Sequence, residues 1–154
     1  SHGIHNDCRG QTGALIMLGG APIHFKSKKQ QINTKSTSES EIVALGDSIS
    51  QFIWVINFLK LQGVYIDKKF IHEDNKGTID IISKNNHTSE RVRHIEISKY
   101  FVGDILRRYG IELKLIASEE MTADIFTKPL VGRLFQNHRS KMIDFEPHRS
   151  IGSK

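Results

Sequence analysis

Residues 36–59 read Ser-Thr-Ser-Glu-Ser-Glu-Ile-Val-Ala-Leu-Gly-Asp-Ser-Ile-Ser-Gln-Phe-Ile-Trp-Val-Ile-Asn-Phe-Leu, which is the strongest helix signal in the chain. Its apolar residues recur at intervals of three and four positions, which predicts a long helix. Ser38 can cap the start of that helix, and Gly63 stands where a glycine commonly closes one. Because the helix is apolar nearly all round, we expect Phe52 and Trp54 to pack in the core.

Shorter elements are predicted on both sides of this helix. Two apolar runs flank Gly19-Gly20 within residues 13–25, which is typical of a β-hairpin, and a polar stretch follows at 26–35. The other predicted elements are a strand at 69–73, helices at about 76–83 and 93–109, a strand at 111–116, a helical turn at 122–127 and a last amphipathic segment. We therefore expect an α/β domain over residues 1–143, with a mixed sheet flanked by helices, and a flexible tail at 144–154.

The composition limits the class of protein. A chain of 154 residues with a net charge of +5 suits a single globular domain. One cysteine excludes an internal disulfide framework and fits a reducing, intracellular compartment. No uninterrupted apolar run approaches 18 residues, so we expect no membrane-spanning helix. Residues 26–35 carry four lysines and no acid, which fits either a solvated face or contact with a polyanion.

Three carboxylates lie at the ends of predicted elements, and each has an ordinary structural explanation. Glu41 follows Ser38 by three residues, the spacing of a capping box, and Glu39 has the same spacing from an earlier serine. Asp74 ends a strand and can cap the next helix. Asp124 lies early in a short helix, where the helix dipole favours an anion. Taken singly, none of the three requires a function.

Taken together, the same three carboxylates predict a shared site. Ligand sites in open sheets gather outside the carboxyl ends of neighbouring strands. Asp74 lies at such an end, Glu41 opens a helix packed on the sheet, and Asp124 follows the last predicted strand. Converging carboxylates repel one another unless a cation neutralises them, and oxygen ligands suit Mg²⁺ or Mn²⁺. Two such ions could clamp the attacking and leaving oxygens of a phosphodiester.

Four motifs occur in order along the chain. They read Ser27-Lys28-Lys29-Gln30-Gln31 with Ser36-Thr37-Ser38-Glu39-Ser40-Glu41-Ile42-Val43-Ala44-Leu45, then Asp74-Asn75, then Arg91-Val92-Arg93-His94-Ile95-Glu96-Ile97, and finally Ala123-Asp124-Ile125-Phe126-Thr127-Lys128-Pro129-Leu130. In this order and spacing they resemble the RNase H domain of copia-type LTR retrotransposon polyproteins. The resemblance implies an RNase H-like fold and an endonuclease that hydrolyses the RNA strand of RNA–DNA hybrids during reverse transcription.

The resemblance also implies roles for particular residues. The family's second, third and fourth catalytic carboxylates fall on Glu41, Asp74 and Asp124, with Glu39 as the nearby alternative to Glu41. In the complete domain these carboxylates are expected to bind two Mg²⁺ (or Mn²⁺) ions. The residues expected to contact nucleic acid are Lys28, Lys29, Asn75, Arg91, Arg93 and His94.

One departure from the family concerns the amino terminus. The family's first catalytic aspartate ends a strand that lies upstream of the segment matching Ser1, and Asp7 matches only a loop position. We therefore expect the first, central strand to be missing from this chain, and the chain alone to be nearly inactive. The strands on either side of the missing one would then have unpaired edges inside the sheet.

Two other functions remain open at this point. A degenerate retroelement could leave a module that binds hybrid or duplex through Lys28, Lys29, Arg91 and Arg93 without cutting it, and an RNase H-like transposase or integrase domain is a third reading. The expected partners are an RNA–DNA hybrid and the reverse transcriptase portion of the same polyprotein, with no membrane. The expected location is intracellular, either in cytoplasmic virus-like particles or in the nucleus.

Overall fold

The computed structural model describes residues 9–83 and 93–143, so the predicted tail at 144–154 lies outside the described residues. The strands are β1 (Gln11–Leu18), β2 (Ala21–Lys29), β3 (Phe70–Glu73) and β4 (Glu112–Leu115), and the helices are α1 (Thr37–Leu61), α2 (Lys76–Ser83), α3 (Arg93–Tyr109) and α4 (Gly132–Ile143). Two short 3-10 segments, Ser118–Glu120 and Thr122–Phe126, connect β4 to α4. The predicted elements are present, and β2 continues through the lysines that we expected in a polar connection.

The described strands form two separate sheets, whereas we expected one mixed sheet with unpaired edges at its centre. β1 and β2 make an antiparallel hairpin, and β3 and β4 pair in parallel. Gly19 and Gly20 connect the hairpin with φ angles of 59° and 89°, which residues with a side chain rarely adopt. Both kinds of pairing were predicted correctly, but no strand among the described residues joins β1 to β3. The fold is therefore mixed α/β with two small sheets and four described helices.

Helix α1 carries the core. Its buried residues include Ile42, Val43, Ile49 and Ile56, which cluster with apolar residues of α2 and α3. Phe52 packs against this cluster, as predicted. Trp54 does not: it is 61% exposed and stacks on Phe58 with a ring-centroid distance of 5.4 Å. The prediction for Trp54 was wrong because α1 has one face that no described element covers.

By length and composition alone, α1 is long and apolar enough to cross a membrane. The helix nevertheless contains no uninterrupted apolar run of 18 residues, because Gly46, Asp47 and several serines interrupt it. Core helices of water-soluble proteins pass the same test. Since α1 packs against β1, α2 and α3, its length assigns no membrane role.

A groove between two sheets with an acidic end

A groove of about 800 Å³, here called the sheet groove, separates the two sheets. Strands β1 and β3 form its walls, whereas no residue of β2 or β4 lines it. One face of α1 forms the floor through Glu41, Ala44, Leu45, Ser48, Ile49, Phe52, Val55, Ile56 and Leu59. These positions recur every three or four residues, so a single stripe of the helix faces the groove, and that stripe is mostly apolar.

The predicted carboxylates lie at one end of the sheet groove, which we call the acidic end. Asp74 follows β3, Glu41 lies early in α1, and Asp124 belongs to the 3-10 segment Thr122–Phe126, hereafter the 3-10 turn. Glu73, the last residue of β3, also lines the groove and is 4% exposed. The structure therefore brings the three predicted side chains to one place and adds a fourth carboxyl group.

The start of α1 shows that Glu41 does not cap the helix. The Ser36 hydroxyl accepts a hydrogen bond from the Glu39 amide at 3.2 Å, and Glu39 Oε2 accepts one from the Lys35 amide at 2.6 Å. Ser36 is therefore the N-cap, and Glu39 resembles the second residue of a capping box except that it bonds the amide before the N-cap. The prediction that Ser38 caps the helix was wrong by two residues, so capping explains Glu39 and leaves Glu41 unexplained.

The start of α2 likewise shows that Asp74 does not cap its helix. Asn75, not Asp74, caps this helix, because its Oδ1 accepts a hydrogen bond from the Gly77 amide at 2.9 Å. The Asn75 side-chain amide also donates to Ser38 Oγ at 3.1 Å and so ties α2 to the first turn of α1. Asp74 is held at the acidic end by its neighbour's contacts, without serving as the cap itself.

Asp124 reaches the acidic end because the 3-10 turn packs tightly on β1. A Cβ atom placed on Gly13 would lie only 2.9 Å from the carbonyl oxygen of Ala123 and would also meet the Thr127 methyl group. Only a glycine in β1 allows the 3-10 turn to approach this closely. Asp124 itself forms an ion pair with Lys128, whose Nζ lies 2.7 Å from Oδ2.

Burial and mutual repulsion alter the protonation of two of these acids. Burial raises the pKa of Glu41, and the negative charges of Asp74 and Asp124 raise it further. Burial likewise raises the pKa of Glu73 to about 8, with a further contribution from the charge of Glu41. The Asn75 amide opposes this shift by donating a hydrogen bond to Glu73 Oε1 at 3.1 Å.

Glu73 was missed by the sequence reasoning, although a signal for it exists. Ile71 and Glu73 are two residues apart in β3, so they point to the same side of the strand. Ile71 packs against the core, and Glu73 is buried on the same side. A two-residue period read through β3 would therefore have placed Glu73 inside.

The predicted nucleic-acid contacts are only partly described. Lys28 and Lys29 are exposed at the end of β2. Asn75 lies beside the acidic end. Arg91 lies outside the described residues, and Arg93 and His94 occupy the first turn of α3, where only the backbone is described. Lys28 pairs with Thr12 of β1, next to Gly13 on which the 3-10 turn packs, whereas the side chains of the basic motif before α3 are not described.

The acidic end has the donor chemistry for a hard cation, because carboxylate oxygens are the ligands that Mg²⁺ and Mn²⁺ prefer. Among the described side chains, those of residues 9–83 and 97–143, no three His, Cys, Asp or Glu side chains are close enough together to hold an ion. The carboxylates are thus the type of ligand that Mg²⁺ prefers, but they lie too far apart to coordinate one ion together.

Comparison with known proteins relates the chain to retrotransposons. It is 30% identical over 147 residues to the Transposon Ty1-JR2 Gag-Pol polyprotein of Saccharomyces cerevisiae, covering 93% of this chain and 8% of that protein. It is 28% identical over 141 residues to the Retrovirus-related Pol polyprotein from transposon RE1 of Arabidopsis thaliana, and 27% identical over 128 residues to that from transposon TNT 1-94 of Nicotiana tabacum. These two matches cover 91% and 83% of this chain and 10% of each relative.

No family model and no known structure matches the chain. The chain spans about a tenth of the length of the curated relatives it matches. The similarity nevertheless extends over most of the chain in relatives from two plants and a yeast. The homologues of this chain are therefore Pol polyproteins of copia/Ty1-type retrotransposons.

Proposed function

We propose that this chain belongs to a ribonuclease H module of a retroelement Pol polyprotein, and that the complete module hydrolyses the RNA strand of an RNA–DNA hybrid. The observation that carries the proposal is the convergence of Glu41, Asp74 and Asp124. They come from three separate elements to one end of the sheet groove, and neither Glu41 nor Asp74 is used as a helix cap. The similarity to Pol polyproteins supports the retroelement context.

In this proposal Glu41, Asp74 and Asp124 hold Mg²⁺ or Mn²⁺, two ions in the complete site. When bound, such ions activate a water molecule and stabilise the charge that develops on the leaving oxygen. The carboxylates themselves position the scissile phosphate by fixing where positive charge is concentrated. Burial raises the pKa of Glu41, and repulsion by Asp74 and Asp124 adds to this shift; a bound cation would relieve that repulsion.

The residues proposed to bind the substrate differ from the carboxylates proposed to hold the metal ions. Lys28 and Lys29 lie exposed on β2, where they can bind phosphates without regard to base sequence. Asn75 lies next to Asp74 and can contact a sugar hydroxyl, the group that distinguishes RNA from DNA. The proposed partners are accordingly an RNA–DNA hybrid and the reverse transcriptase portion of the same polyprotein, inside the cell, in cytoplasm or nucleus.

Cleavage of a hybrid with a fluorescent RNA strand tests this proposal. The chain should be assayed alone and with an amino-terminal extension that supplies a strand ending in aspartate, with Mg²⁺ or with EDTA. We expect little cleavage by the chain alone and Mg²⁺-dependent cleavage by the extended chain. Asp74→Asn should lower the rate of the extended chain about 100-fold or more.

The matched control is Asp104→Asn, the same change at a side chain that is 70% exposed on α3. Its cleavage rate should equal that of the parent. Equal rates for Asp74→Asn and the parent would contradict the proposal, as would cleavage that persists in EDTA.

A second function, binding of nucleic acid without cleavage, is favoured by one specific observation. Lys128 already neutralises Asp124 at 2.7 Å, so one of the proposed ligands has a cation in place. In this alternative the lysines of β2 hold the duplex through its phosphates, and affinity falls steeply with salt. Salt-sensitive binding of the hybrid by an extended chain that never cleaves would establish this function instead.

A further inference from the structure

An aromatic stack lies on β2, beside the 3-10 turn. The Phe25 ring of β2 is parallel to the Phe126 ring, with an interplanar angle of 8° and a centroid distance of 5.5 Å. The Ser27 hydroxyl, two residues further along β2, donates a hydrogen bond to the Phe126 carbonyl at 2.7 Å. Because residues two apart point to the same side of a strand, Phe25 and Ser27 hold the 3-10 turn on one face of β2.

Helix α4 lies next to this stack, because it packs against both β2 and the 3-10 turn. Its fully buried His138 marks the side of the helix that faces the sheet. Lys141 lines the sheet groove, so the flank of α4 that carries Lys141 faces the groove. Phe135 and Arg139 lie on the opposite flank, since successive helical positions are rotated by about 100°. That flank therefore faces away from the groove, on the side of β2.

The rings on this side of the molecule are open to solvent. Phe25 is 66% exposed, and Ile23, on the same face of β2, and Phe135 of α4 are exposed as well. Exposed apolar residues that occur singly are ordinary, whereas a group of them commonly marks a binding surface. We call the group formed by Ile23, Phe25, Phe126 and Phe135 the aromatic patch.

The elements that carry the aromatic patch are basic. Residues 21–35 contain four lysines, and residues 125–143 contain two lysines and two arginines, without an Asp or Glu in either stretch. Asp124, the acid just before the second stretch, already forms an ion pair with Lys128 at 2.7 Å. The aromatic patch therefore lies in a positive field, which favours an anionic partner.

A second exposed stack, on α1, provides a comparison. Trp54 and Phe58 are also nearly parallel, with a centroid distance of 5.4 Å. Residues 36–59 contain three acids and neither lysine nor arginine, and Lys60 is the first cation after them. The α1 stack thus has few of the cations that a polyanion requires, whereas the aromatic patch has them on both of its neighbouring elements.

We propose that the aromatic patch binds a single-stranded segment of nucleic acid, with an unpaired base stacked on Phe25. Every base has a π-face, so stacking on an aromatic ring together with phosphate contacts gives binding without sequence preference. Arg139 and the β2 lysines are placed to contact the phosphates on either side of that base. The aromatic patch contains none of the proposed metal ligands, and the proposal stands whether or not the acidic end cleaves RNA.

Fluorescence anisotropy tests the proposal in EDTA, so that no metal at the acidic end contributes. The probe is a fluorescein-labelled oligodeoxythymidylate of about ten nucleotides, and the control strand has the same phosphates with abasic sites throughout. We expect saturable binding of the thymidylate strand and at least about fivefold weaker binding of the abasic strand, a factor that corresponds to about 1 kcal/mol of stacking. Equal binding of the two strands would overturn the proposal, because the bases would then make no contact.

Substitutions at Phe25 distinguish stacking from general apolar contact. Phe25→Leu keeps an apolar side chain without the ring, and should weaken thymidylate binding at least about fivefold while binding of the abasic strand stays the same. Phe25→Trp keeps a ring and should bind at least as tightly as the parent. Phe58→Leu makes the matched change in the α1 stack and should leave binding unchanged. If Phe58→Leu weakened binding as much as Phe25→Leu, the aromatic patch would not be the site.

Arg139→Gln tests the charge without altering the rings, at an exposed position of α4. It should weaken thymidylate binding about threefold at low salt and lower the salt dependence by about one released ion. Arg108→Gln makes the same change at an exposed position in the last turn of α3 and should change neither quantity. An Arg139→Gln chain with the affinity and salt dependence of the parent would overturn the proposal.

Probes of other chemistry decide among partners. A labelled peptide of about ten glutamates has a similar charge without bases, and binding as tight as that of thymidylate would assign the patch to an acidic protein and overturn the proposal. Oligouridylate of the same length should also bind, and the tighter of the two strands identifies the natural one as RNA or DNA. Strand binding by an extended chain that never cleaves RNA would refute only the nuclease proposal, and cleavage without strand binding would refute only this one.

Discussion

Two carboxyl groups at the acidic end, Glu73 and Asp124, reduce their negative charge in different ways. At the end of β3, Glu73 is 4% exposed and its pKa is raised to about 8, so burial keeps it protonated at neutral pH. In the 3-10 turn, the Asp124 side chain is 17% exposed and Lys128 balances its charge at 2.7 Å. One side lowers its negative charge by holding a proton, and the other by an ion pair.

This difference has consequences for stability and for function. A buried carboxyl group that must stay protonated makes the fold sensitive to pH, whereas a partly exposed ion pair contributes little to stability. Of these two groups, the β3 side should therefore govern how the domain responds to pH. The 3-10 turn should govern how readily Asp124 becomes available to an added cation.

Glu73→Gln should have the largest effect on stability. A carboxyl group with a higher pKa in the folded chain ionises more easily in the unfolded chain, so its contribution to stability falls as pH rises. Between the ordinary pKa of 4.5 and the folded value of about 8, the parent should lose about 1 kcal/mol per pH unit relative to the variant. Urea unfolding in EDTA at pH 5 and at pH 8 measures this difference.

The control for this measurement is Glu112→Gln on β4, where the side chain is 74% exposed. Its unfolding free energy should follow that of the parent at both pH values. If the unfolding free energies of Glu73→Gln and the parent differed by the same amount at pH 5 and at pH 8, a buried proton on Glu73 would be ruled out.

Gly13→Ala should destabilise the fold by about 1–3 kcal/mol, the usual effect of forcing an extra methyl group into a packed contact. The new Cβ would lie 2.9 Å from the Ala123 carbonyl oxygen, so the 3-10 turn must move away from β1. The variant should therefore unfold at a lower temperature than the parent. It should also lower cleavage by the extended chain described above, because Asp124 is carried on the displaced turn.

Gly46→Ala is the matching glycine substitution on α1 and should have the opposite sign. A Cβ there would lie 3.5 Å from the nearest atoms of Ser98, an ordinary contact. Alanine in a helix interior is more favourable than glycine by up to about 1 kcal/mol. A higher unfolding temperature is therefore expected for Gly46→Ala, and a decrease as large as that of Gly13→Ala would contradict the role assigned to close packing at Gly13.

The sequence predicts local structure here better than it predicts assembly. The predicted helix at 93–109 and the short one at 76–83 match α3 and α2, because helical periodicity and terminal glycines are local signals. The periodicity of the elements predicted one mixed sheet, and only the family resemblance predicted unpaired edges between the hairpin and β3, where the structure has two separate sheets. No local pattern contains that information.

At the acidic end, too, the sequence predicted which residues matter better than how they are used. The motifs pointed to Glu41 and Asp74, and the structure shows that neither is a helix cap, because Ser36 caps α1 and Asn75 caps α2. Spacing alone did not distinguish two possible capping boxes, because Ser38 and Glu41 are three residues apart, as are Ser36 and Glu39. The choice depends on where the chain turns, which is a tertiary property.

Lys128→Met should have the smallest effect on stability and a clear effect on cation binding. The ion pair with Asp124 is partly exposed, with side-chain exposures of 40% and 17%, so its removal should change the unfolding free energy by no more than about 0.5 kcal/mol. The affinity for Mg²⁺, measured by isothermal titration, should rise about fivefold because a competing cation has gone. Arg107→Met, which breaks an exposed ion pair of 3.9 Å with Asp104 on α3, should leave the affinity unchanged. If Lys128→Met bound Mg²⁺ no better than Arg107→Met, Lys128 would not be the group that balances the acidic end.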